Sequence, residues 1–135
     1  MEGARPPERN RIALSAFCRG RYTRGMFGKR SDSGYQPALE GIERKTLVYG
    51  KNMLMTEFKL RKGAVLPRHS HPQEQTGRLI SGRIRLYIAT EIHEVNAGDS
   101  WYIPGNVEHG ADILEDSVAI EVFSPVREDY LPLSA

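Results

Sequence analysis

Three histidines and one glutamine in this 135-residue chain have the residue types and the spacing of a metal-binding site. His69 and His71 are separated by one residue, Gln75 follows shortly after them, and His109 comes later in the chain. On an extended strand alternate side chains share a face, so His69 and His71 should project the same way, about 7 Å apart at Cα. Neutral imidazole suits first-row transition ions, and the amide oxygen of Gln75 is a weaker, uncharged donor than a carboxylate.

Three imidazoles and one amide would leave a bound divalent ion its full double positive charge. Such an ion favours Lewis-acid chemistry, in which it polarises a substrate oxygen or lowers the pKa of bound water. The alternative is that surface histidines lie at these intervals by chance. Three of the four histidines in the chain belong to the set, which favours the metal site. The ligand types are compatible with Zn, Ni, Fe, Mn, Co or Cu and do not decide among them.

Two segments that begin with a glycine carry the four ligands, residues 63–82 and residues 98–109. They resemble the two sequence motifs of the cupin superfamily, whose usual ligands are two histidines, a glutamate and a third histidine. Gln75 stands at the glutamate position, and Asn106 replaces a glycine that is common two residues after the proline. The resemblance covers residues 37–130 and implies an all-β fold, a double-stranded β-helix or jelly-roll barrel with a metal inside one mouth. It implies no particular reaction, since one fold hosts many functions.

The elements that must position these ligands are short strands separated by turn signals, as expected of a β-sandwich or barrel. In the strand after Gly82, apolar and polar residues alternate with a period of two, which indicates one buried face. Glycine and asparagine, which tolerate turn conformations, recur between the strands. The predicted strands span residues 46–49, 53–60, 75–81, 83–89, 92–95, 100–103, 107–113 and 117–123. No long helix is expected.

Length and charge distribution predict one compact domain preceded by a basic leader. Residues 1–30 hold eight Lys or Arg against two Glu, a balance of +6 within a total of +2, so the remainder carries −4. Residues 1–34 are interpreted as a disordered leader, or as an over-extended start with Met26 as the true initiator. Residues 35–135 are interpreted as a single cupin domain. Its acidic balance gives no reason to expect a nucleic-acid partner.

Cysteine content and hydropathy bear on the compartment. Cys18 is the single cysteine and cannot form an internal disulfide. No stretch approaches about 18 consecutive apolar residues, the length that a membrane-spanning helix requires. A cytoplasmic protein without membrane contact is therefore expected.

The end of the chain carries a narrower resemblance. Residues 120–130, together with residues 41–47, are similar to the KdgF-like monocupins of pectin degradation, which open the ring of 4,5-unsaturated uronates to a linear keto-uronate. The resemblance implies catalytic roles for an acid, a phenylalanine and an arginine, which correspond to Glu121, Phe123 and Arg127. The acid in the family is an aspartate. Glu121 is longer by one methylene, which changes where a general base would lie.

The implied chemistry assigns each polar residue a task. Glu121 would move a proton during ring opening and tautomerisation. Arg127 would pair with the uronate carboxylate, a task that suits its two-pronged donor geometry. The substrate would be a small acidic sugar.

The alternative follows from the parity of the last strand. Its more apolar face is made by Val118, Ile120 and Val122. If that face points into the barrel, Glu121 faces solvent or a partner subunit. Phe123 is then ordinary packing, and Arg127 is an exposed counter-ion of Glu128 or Asp129 that contributes little stability.

Three further positions have simpler expectations. Arg78 has the opposite strand parity to Gln75 and is expected on the outer face. His93 is expected to be a surface histidine. One of Trp101 and Tyr102 is a candidate for the pocket wall, although packing is the commoner role for such residues.

Three functions remain open. The first is a metal-dependent enzyme that opens or isomerises the ring of unsaturated uronates. The second is a cupin oxygenase with a redox-active metal at the same ligands, and the third is a non-catalytic module that binds a sugar or small acid. A homodimer is expected, because an open barrel gains stability by covering its edge strands.

Overall fold

The computed structural model describes residues 26–132, which form ten β-strands and one short 3-10 helix. The 3-10 helix spans Glu128–Tyr130. The strands are β1 (Gln36–Leu39), β2 (Ile42–Tyr49), β3 (Leu54–Leu60), β4 (Val65–His69), β5 (Glu74–Ser81), β6 (Arg83–Ile88), β7 (Glu91–Asn96), β8 (Ser100–Ile103), β9 (His109–Ile113) and β10 (Ser117–Ser124). No helix in this part of the chain is long and apolar enough to cross a membrane.

The strands form two sheets that enclose one core. The larger sheet has the order β1-β2-β3-β10-β5-β8, and the smaller has the order β4-β9-β6-β7. Every pair between residues 26 and 132 is antiparallel. Leaving aside β1 and β2, which extend one edge, four strands stand on each side in the order of a jelly roll. The predicted all-β double-stranded β-helix is confirmed.

The core is formed by aliphatic side chains from both sheets, selected by period-two alternation. Along β5 buried and exposed residues alternate, and Leu79 is fully buried. The buried cluster consists of Leu79, Ile84, Leu86, Val95, Ala111, Ile113 and Ala119. Full burial of a Leu or Ile side chain stabilises the fold by about 1.5–3 kcal/mol. The site residues on β5, β9 and β10 therefore stand on a well-packed support.

The predicted strands agree with most observed ones, and the differences have local causes. The strand predicted at 107–113 begins only at His109, because the chain turns before it. The strands β1 and β4 are absent from the predicted set. His69 ends β4 and His71 lies beyond it, so the expectation that one strand carries both histidines is wrong.

The predicted leader lies mostly outside the described residues. Residues 1–25 are among those not described, and Met26 stands at the boundary. Residues 26–34 contain no strand or helix, yet this segment contacts the barrel. The Lys45 ammonium on β2 donates to the carbonyl of Ser31 at 3.1 Å. The leader and the alternative start remain predictions.

Candidate metal centre

Three imidazole rings converge where β4 ends beside β9. His69 lies opposite His109 in the β4–β9 pair, and their ring centroids are 4.3 Å apart. The His71 ring is 5.6 Å from the His69 ring and 4.9 Å from the His109 ring. One nitrogen from each ring lies within 4.8 Å of the others. The three side chains are close enough to converge on one ion.

Each of these rings is fixed by a hydrogen bond to a nearby carbonyl. In all three the Nδ1 atom lies within hydrogen-bond distance of a backbone oxygen two residues away along the chain. The carbonyls belong to Pro67, Gln73 and Val107, at 2.9, 2.9 and 2.8 Å. A carbonyl can only accept, so Nδ1 carries the proton and Nε2 presents a lone pair. This is how proteins usually orient metal-binding histidines.

A bulge in β4 aims the first histidine. The β4–β9 register shifts between Leu66 and His69, so β4 holds one residue more than its partner over this stretch. Such a bulge redirects the following side chain. Gly110 permits the close approach of the strands, because a Cβ there would lie 2.8 Å from the Leu66 carbonyl oxygen. His69 and His109 are thereby brought side by side.

A tight turn before β9 positions the second histidine. The amide of Asn106 donates to the carbonyl of His71 at 2.8 Å. Asn106 has φ 63°, a left-handed conformation that asparagine tolerates better than most residues, which accounts for its presence where the family has glycine. A Cβ at Gly105 would lie 2.4 Å from the Pro72 carbonyl oxygen. The two motifs of the sequence are thus held together through the backbone of this turn.

Gln75 supplies a fourth donor from the larger sheet. Its side chain is buried, and its Nε2 donates to Glu121 Oε2 at 2.8 Å. Gln75 Oε1 and His71 Nε2 are both buried and without a hydrogen bond within the described residues. Burying two lone-pair acceptors without a partner is costly. A cation would satisfy both atoms, so the donor set fits a metal ion.

Burial disfavours protonation of two of the three imidazoles, those of His71 and His109. It lowers the pKa of His109 to about 4, and the neighbouring charges of His69, His71 and Arg127 add to the effect. Burial also lowers the pKa of His71, with Arg127 as the second cause. The Gln75 side chain acts in the opposite direction on His71, which places the two side chains next to each other. At neutral pH these two rings are free of the proton that would compete with a metal.

Glu121 points into the barrel. Its Oε1 accepts from Trp101 Nε1 at 3.1 Å, and its Oε2 accepts from Gln75. Burial raises the pKa of Glu121 to about 7, while Trp101, Arg127 and Gln75 partly oppose the shift. Its neighbours of the same parity, Ala119 and Phe123, are buried.

The alternative orientation of the last strand is therefore wrong. The apolar residues Val118, Ile120 and Val122 lie on the outer face of the larger sheet, where they keep partial exposure. Parity does not indicate the inner face here, because the outward residues of β10 are apolar while Glu121 lies on its inner side.

Phe123 and Arg127 stand beside the imidazoles. Phe123 is 1% exposed, and its ring centroid is 5.8 Å from that of His71. The Arg127 guanidinium lies 5.3 Å from the Phe123 ring and 4.2 Å from the Tyr130 ring. Arg127 donates to both carboxylate oxygens of Asp129, at 3.0 and 2.8 Å. Asp129 is thus its counter-ion, but the Arg127 side chain is only 14% exposed, so the picture of an exposed surface pair is wrong.

A second arginine holds the same segment in place, which the sequence did not indicate. Arg44 on β2 lies 3.9 Å from the Tyr130 ring centroid and donates to the Asp129 carbonyl at 3.4 Å. Thr46 donates to the Tyr130 carbonyl. The Tyr130 ring therefore contacts two guanidiniums, and the 3-10 helix is fastened to β2.

A row of residues across the larger sheet joins four strands at the level of Glu121. Trp101 on β8 pairs with Gly77 on β5, Gly77 pairs with Glu121 on β10, and Glu121 pairs with Thr56 on β3. Thr56 is fully buried, and its Oγ1 has no hydrogen bond within the described residues. Strand register reveals this row, whereas sequence spacing does not.

The remaining predicted positions lie where expected. Arg78 is exposed on the outer face of β5. His93 is exposed on β7 beside Glu91. Of the two aromatic candidates, Trp101 lines an internal cavity next to Gln75 and Glu121, and Tyr102 is 53% exposed.

Comparison with known proteins agrees with this geometry. The family model described as "Cupin domain" matches residues 56–124. The chain is 32% identical over 94 residues to the pectin degradation protein KdgF of Dickeya dadantii (strain 3937), a match that covers 68% of this chain and 86% of that protein.

Two solved structures share the fold over most of their length. The structure of KdgF from Halomonas sp. has a TM-score of 0.74 and 31% identity, and the match covers 78% of this chain and 99% of that one. An RmlC-like cupin from Shewanella frigidimarina has a TM-score of 0.75 and 26% identity, with 78% of this chain and 96% of that one covered. With its jelly roll and its three-histidine cluster, the chain belongs to the cupin family and is a KdgF-like monocupin.

Proposed function

We propose that this protein is a metal-dependent enzyme that opens the ring of 4,5-unsaturated uronates, the sugars released from pectin or alginate, to a linear keto-uronate. The observation that carries the proposal is the cluster of three imidazoles with the Gln75 amide oxygen, which has no hydrogen bond among residues 26–132, beside the Arg127 guanidinium. Similarity to proteins named for pectin degradation supports the choice of substrate.

The metal would be held by His69, His71, Gln75 and His109. All four donors are neutral, so a bound divalent ion would keep its charge and supply Lewis-acid activation of a substrate oxygen. Zn, Ni, Fe, Mn, Co and Cu all accept such ligands. The choice among them is left to experiment.

Positive charge near the imidazoles favours an acidic substrate. Arg127 uses Nε and Nη2 for Asp129, which leaves Nη1 for a substrate carboxylate. Arg44, which also packs against the Tyr130 ring, contributes a second positive charge. An arginine that is already fixed loses little conformational entropy when it binds a carboxylate.

Glu121 would hold and move the proton. A carboxyl group with a pKa raised to about 7 exchanges protons readily at neutral pH. Each of its oxygens accepts one hydrogen bond and keeps a second lone pair for a proton. Phe123 is buried, so its part would be to support His71 and Arg127 rather than to contact the substrate.

The substrate would bind outside the packed interior. The internal cavity next to Gln75, His109 and Glu121 has a volume of about 50 Å³. One or two water molecules fit a space of this size, and a sugar ring does not. The uronate would therefore approach from the side of the barrel where Arg127 lies.

We expect the protein to act as a homodimer. The outer face of the larger sheet carries exposed Ile80 and Tyr102 and the partly exposed β10 residues Ile120 and Val122. A second copy covering this face would remove apolar surface from water.

The test is turnover of 4,5-unsaturated galacturonate-derived and mannuronate-derived monosaccharides, followed by loss of the absorbance of the conjugated double bond. Protein loaded with each candidate metal should exceed spontaneous opening, and His69→Ala should abolish the excess. Arg127→Lys should lower kcat/KM about 10- to 100-fold, mainly through KM, because lysine cannot keep the two-pronged contact with Asp129 and still present a second nitrogen to the substrate carboxylate. Arg78→Lys, on the outer face, is the matched control and should retain activity.

Three outcomes separate the functions. No acceleration with any metal would overturn ring opening. Loss of activity without oxygen would identify an oxygenase instead. Saturable binding of a uronate with no turnover would identify a binding module.

A further inference from the structure

We infer that Glu121 and Trp101 are positioning residues that orient the Gln75 amide, so that its oxygen and not its NH2 group faces the imidazoles. The inference rests on the metal-binding part of the proposed function. It assigns to Trp101 a role that its position in the sequence does not indicate, and gives Glu121 a second task beside proton transfer.

An amide ligand has an ambiguity that a carboxylate does not have. One end of the Gln75 side chain accepts hydrogen bonds and the other end donates them. If the group turns over, two N–H bonds face the ion and repel it. Something must fix the amide, because both orientations have the same shape.

Glu121 fixes the orientation because its two carboxyl oxygens accept hydrogen bonds from Gln75 and Trp101. Its Oε2 takes a hydrogen bond from Gln75 Nε2 at 2.8 Å, which commits the NH2 end of the amide to Glu121. Gln75 Oε1 is left buried and without a hydrogen bond in the described chain. The unsatisfied oxygen is therefore a direct consequence of the Glu121 contact, and it is available to a cation.

Trp101 fixes Glu121 in turn. The indole Nε1 donates to Glu121 Oε1 at 3.1 Å and can do nothing else, since indole is a donor only. The indole reaches β10 across Gly77, where a Cβ would lie 2.2 Å from the ring. The vacancy at Gly77 thus makes room for the contact, and both carboxylate oxygens have a donor.

An amide at position 121 would break this pattern. In Glu121→Gln the new side chain has one acceptor for two donors, Trp101 Nε1–H and Gln75 Nε2–H. Either Trp101 loses its partner, or Gln75 turns its NH2 group toward the imidazoles. The second result opposes metal binding directly, and the first removes the contact that holds residue 121 in place, although the substitution preserves the shape of the side chain.

The test is metal affinity, measured by titrating metal-free protein with Co²⁺ and following both heat and the visible absorption of the bound ion. Glu121→Gln and Trp101→Phe should each weaken Co²⁺ binding about 10-fold or more and change the absorption spectrum. Glu74→Gln and Tyr102→Phe are matched controls, since that neighbouring pair bonds on the exposed face, and both should bind as wild type. Circular dichroism of the metal-free variants checks that they fold.

A swapped pair provides the rescue. In Gln75→Glu/Glu121→Gln the amide at 121 donates to the carboxylate at 75 and accepts from Trp101, so every group has a partner again. The double variant should bind Co²⁺ more tightly than the two single substitutions predict by addition. Wild-type-like affinity of Glu121→Gln, or strict additivity in the cycle, would overturn the inference. Absence of Co²⁺ binding by wild type would instead count against the proposed function.

Discussion

At the scale of single residues, burial acts in opposite directions on the two kinds of titratable group at the site. It lowers the pKa of His109 to about 4 and raises the pKa of Glu121 to about 7. Both shifts favour the uncharged form, as expected where water is excluded. The site therefore combines a neutral His109 imidazole with a protonatable carboxyl group, and this combination suits a cation together with proton transfer.

The raised pKa of Glu121 predicts a pH dependence of stability in metal-free protein. The folded state holds the proton more tightly than the unfolded state, so the contribution is fully present below pH 4.5 and is lost as pH rises through about 7. Relative to Glu121→Gln, the free energy of unfolding of wild type should fall by roughly 2–3 kcal/mol between pH 5 and 8. Urea denaturation of both proteins in the presence of a chelator measures this difference.

The comparison with Glu121→Gln removes the opposing effect of histidine. His109 has a lowered pKa, so its contribution increases as pH rises from about 4 toward the usual histidine range. That contribution is common to both proteins and cancels in the difference. A difference that stays constant from pH 5 to pH 8 would show that the carboxyl group has an ordinary pKa.

At the scale of elements, the close approach of β8, β5 and β10 depends on Gly77. A Cβ at this position would lie 2.2–2.4 Å from three atoms of the Trp101 indole. Gly77→Ala should force the indole out of place and destabilise the protein by about 1–3 kcal/mol, the range for overpacked interiors. Thermal and urea unfolding measure the loss, and the Trp101 fluorescence reports the displaced ring.

Gly50 offers the matched control, since an added Cβ there would meet nothing within 4 Å. Gly50→Ala should change stability by less than about 0.5 kcal/mol. Equal stability of the two alanine variants would mean that the sheet adjusts around the indole. The position of Trp101 would then not depend on a glycine at residue 77.

For the strands and turns, the sequence predicts the features that depend on residues close together in the chain. Alternation and turn residues predict most strands. Residue spacing predicts four metal ligands, and the three histidines among them lie close together in the structure. The placement of His69 beside His109 depends on a bulge in β4 that alternation does not encode. The contact of Trp101 with Glu121 depends on the register of three strands, β8, β5 and β10, which no single segment contains.

The orientation of β10 was open for a different reason. Hydrophobicity marks the inner face of a strand only when the outer face is polar. Here Ile120 and Val122 stay partly exposed while Glu121 faces inward. An inward carboxyl group and outward apolar side chains together reverse the usual pattern.

At the scale of the whole molecule, the same outer face leads to a prediction about assembly. Ile80 is 51% exposed and Tyr102 is 53% exposed, beside the apolar residues of β10. Isolated apolar residues on a surface are ordinary, whereas several on one sheet face mark a site of association. Light scattering coupled to size-exclusion chromatography should give twice the monomer mass.

A charge in the middle of that face should separate assembly from metal binding. Ile120→Glu places a carboxylate where a second copy would exclude water, so the dimer should dissociate to monomer at micromolar concentration. Lys62→Glu, on the exposed turn after β3, alters charge away from the face and should leave the mass unchanged. Because the four ligands and Glu121 all belong to one chain and lie on the inner side of the barrel, the Ile120→Glu monomer should still bind Co²⁺. A wild-type monomer, or an Ile120→Glu dimer, would contradict assembly through this face, and a monomer without metal affinity would mean that the second copy supports the site.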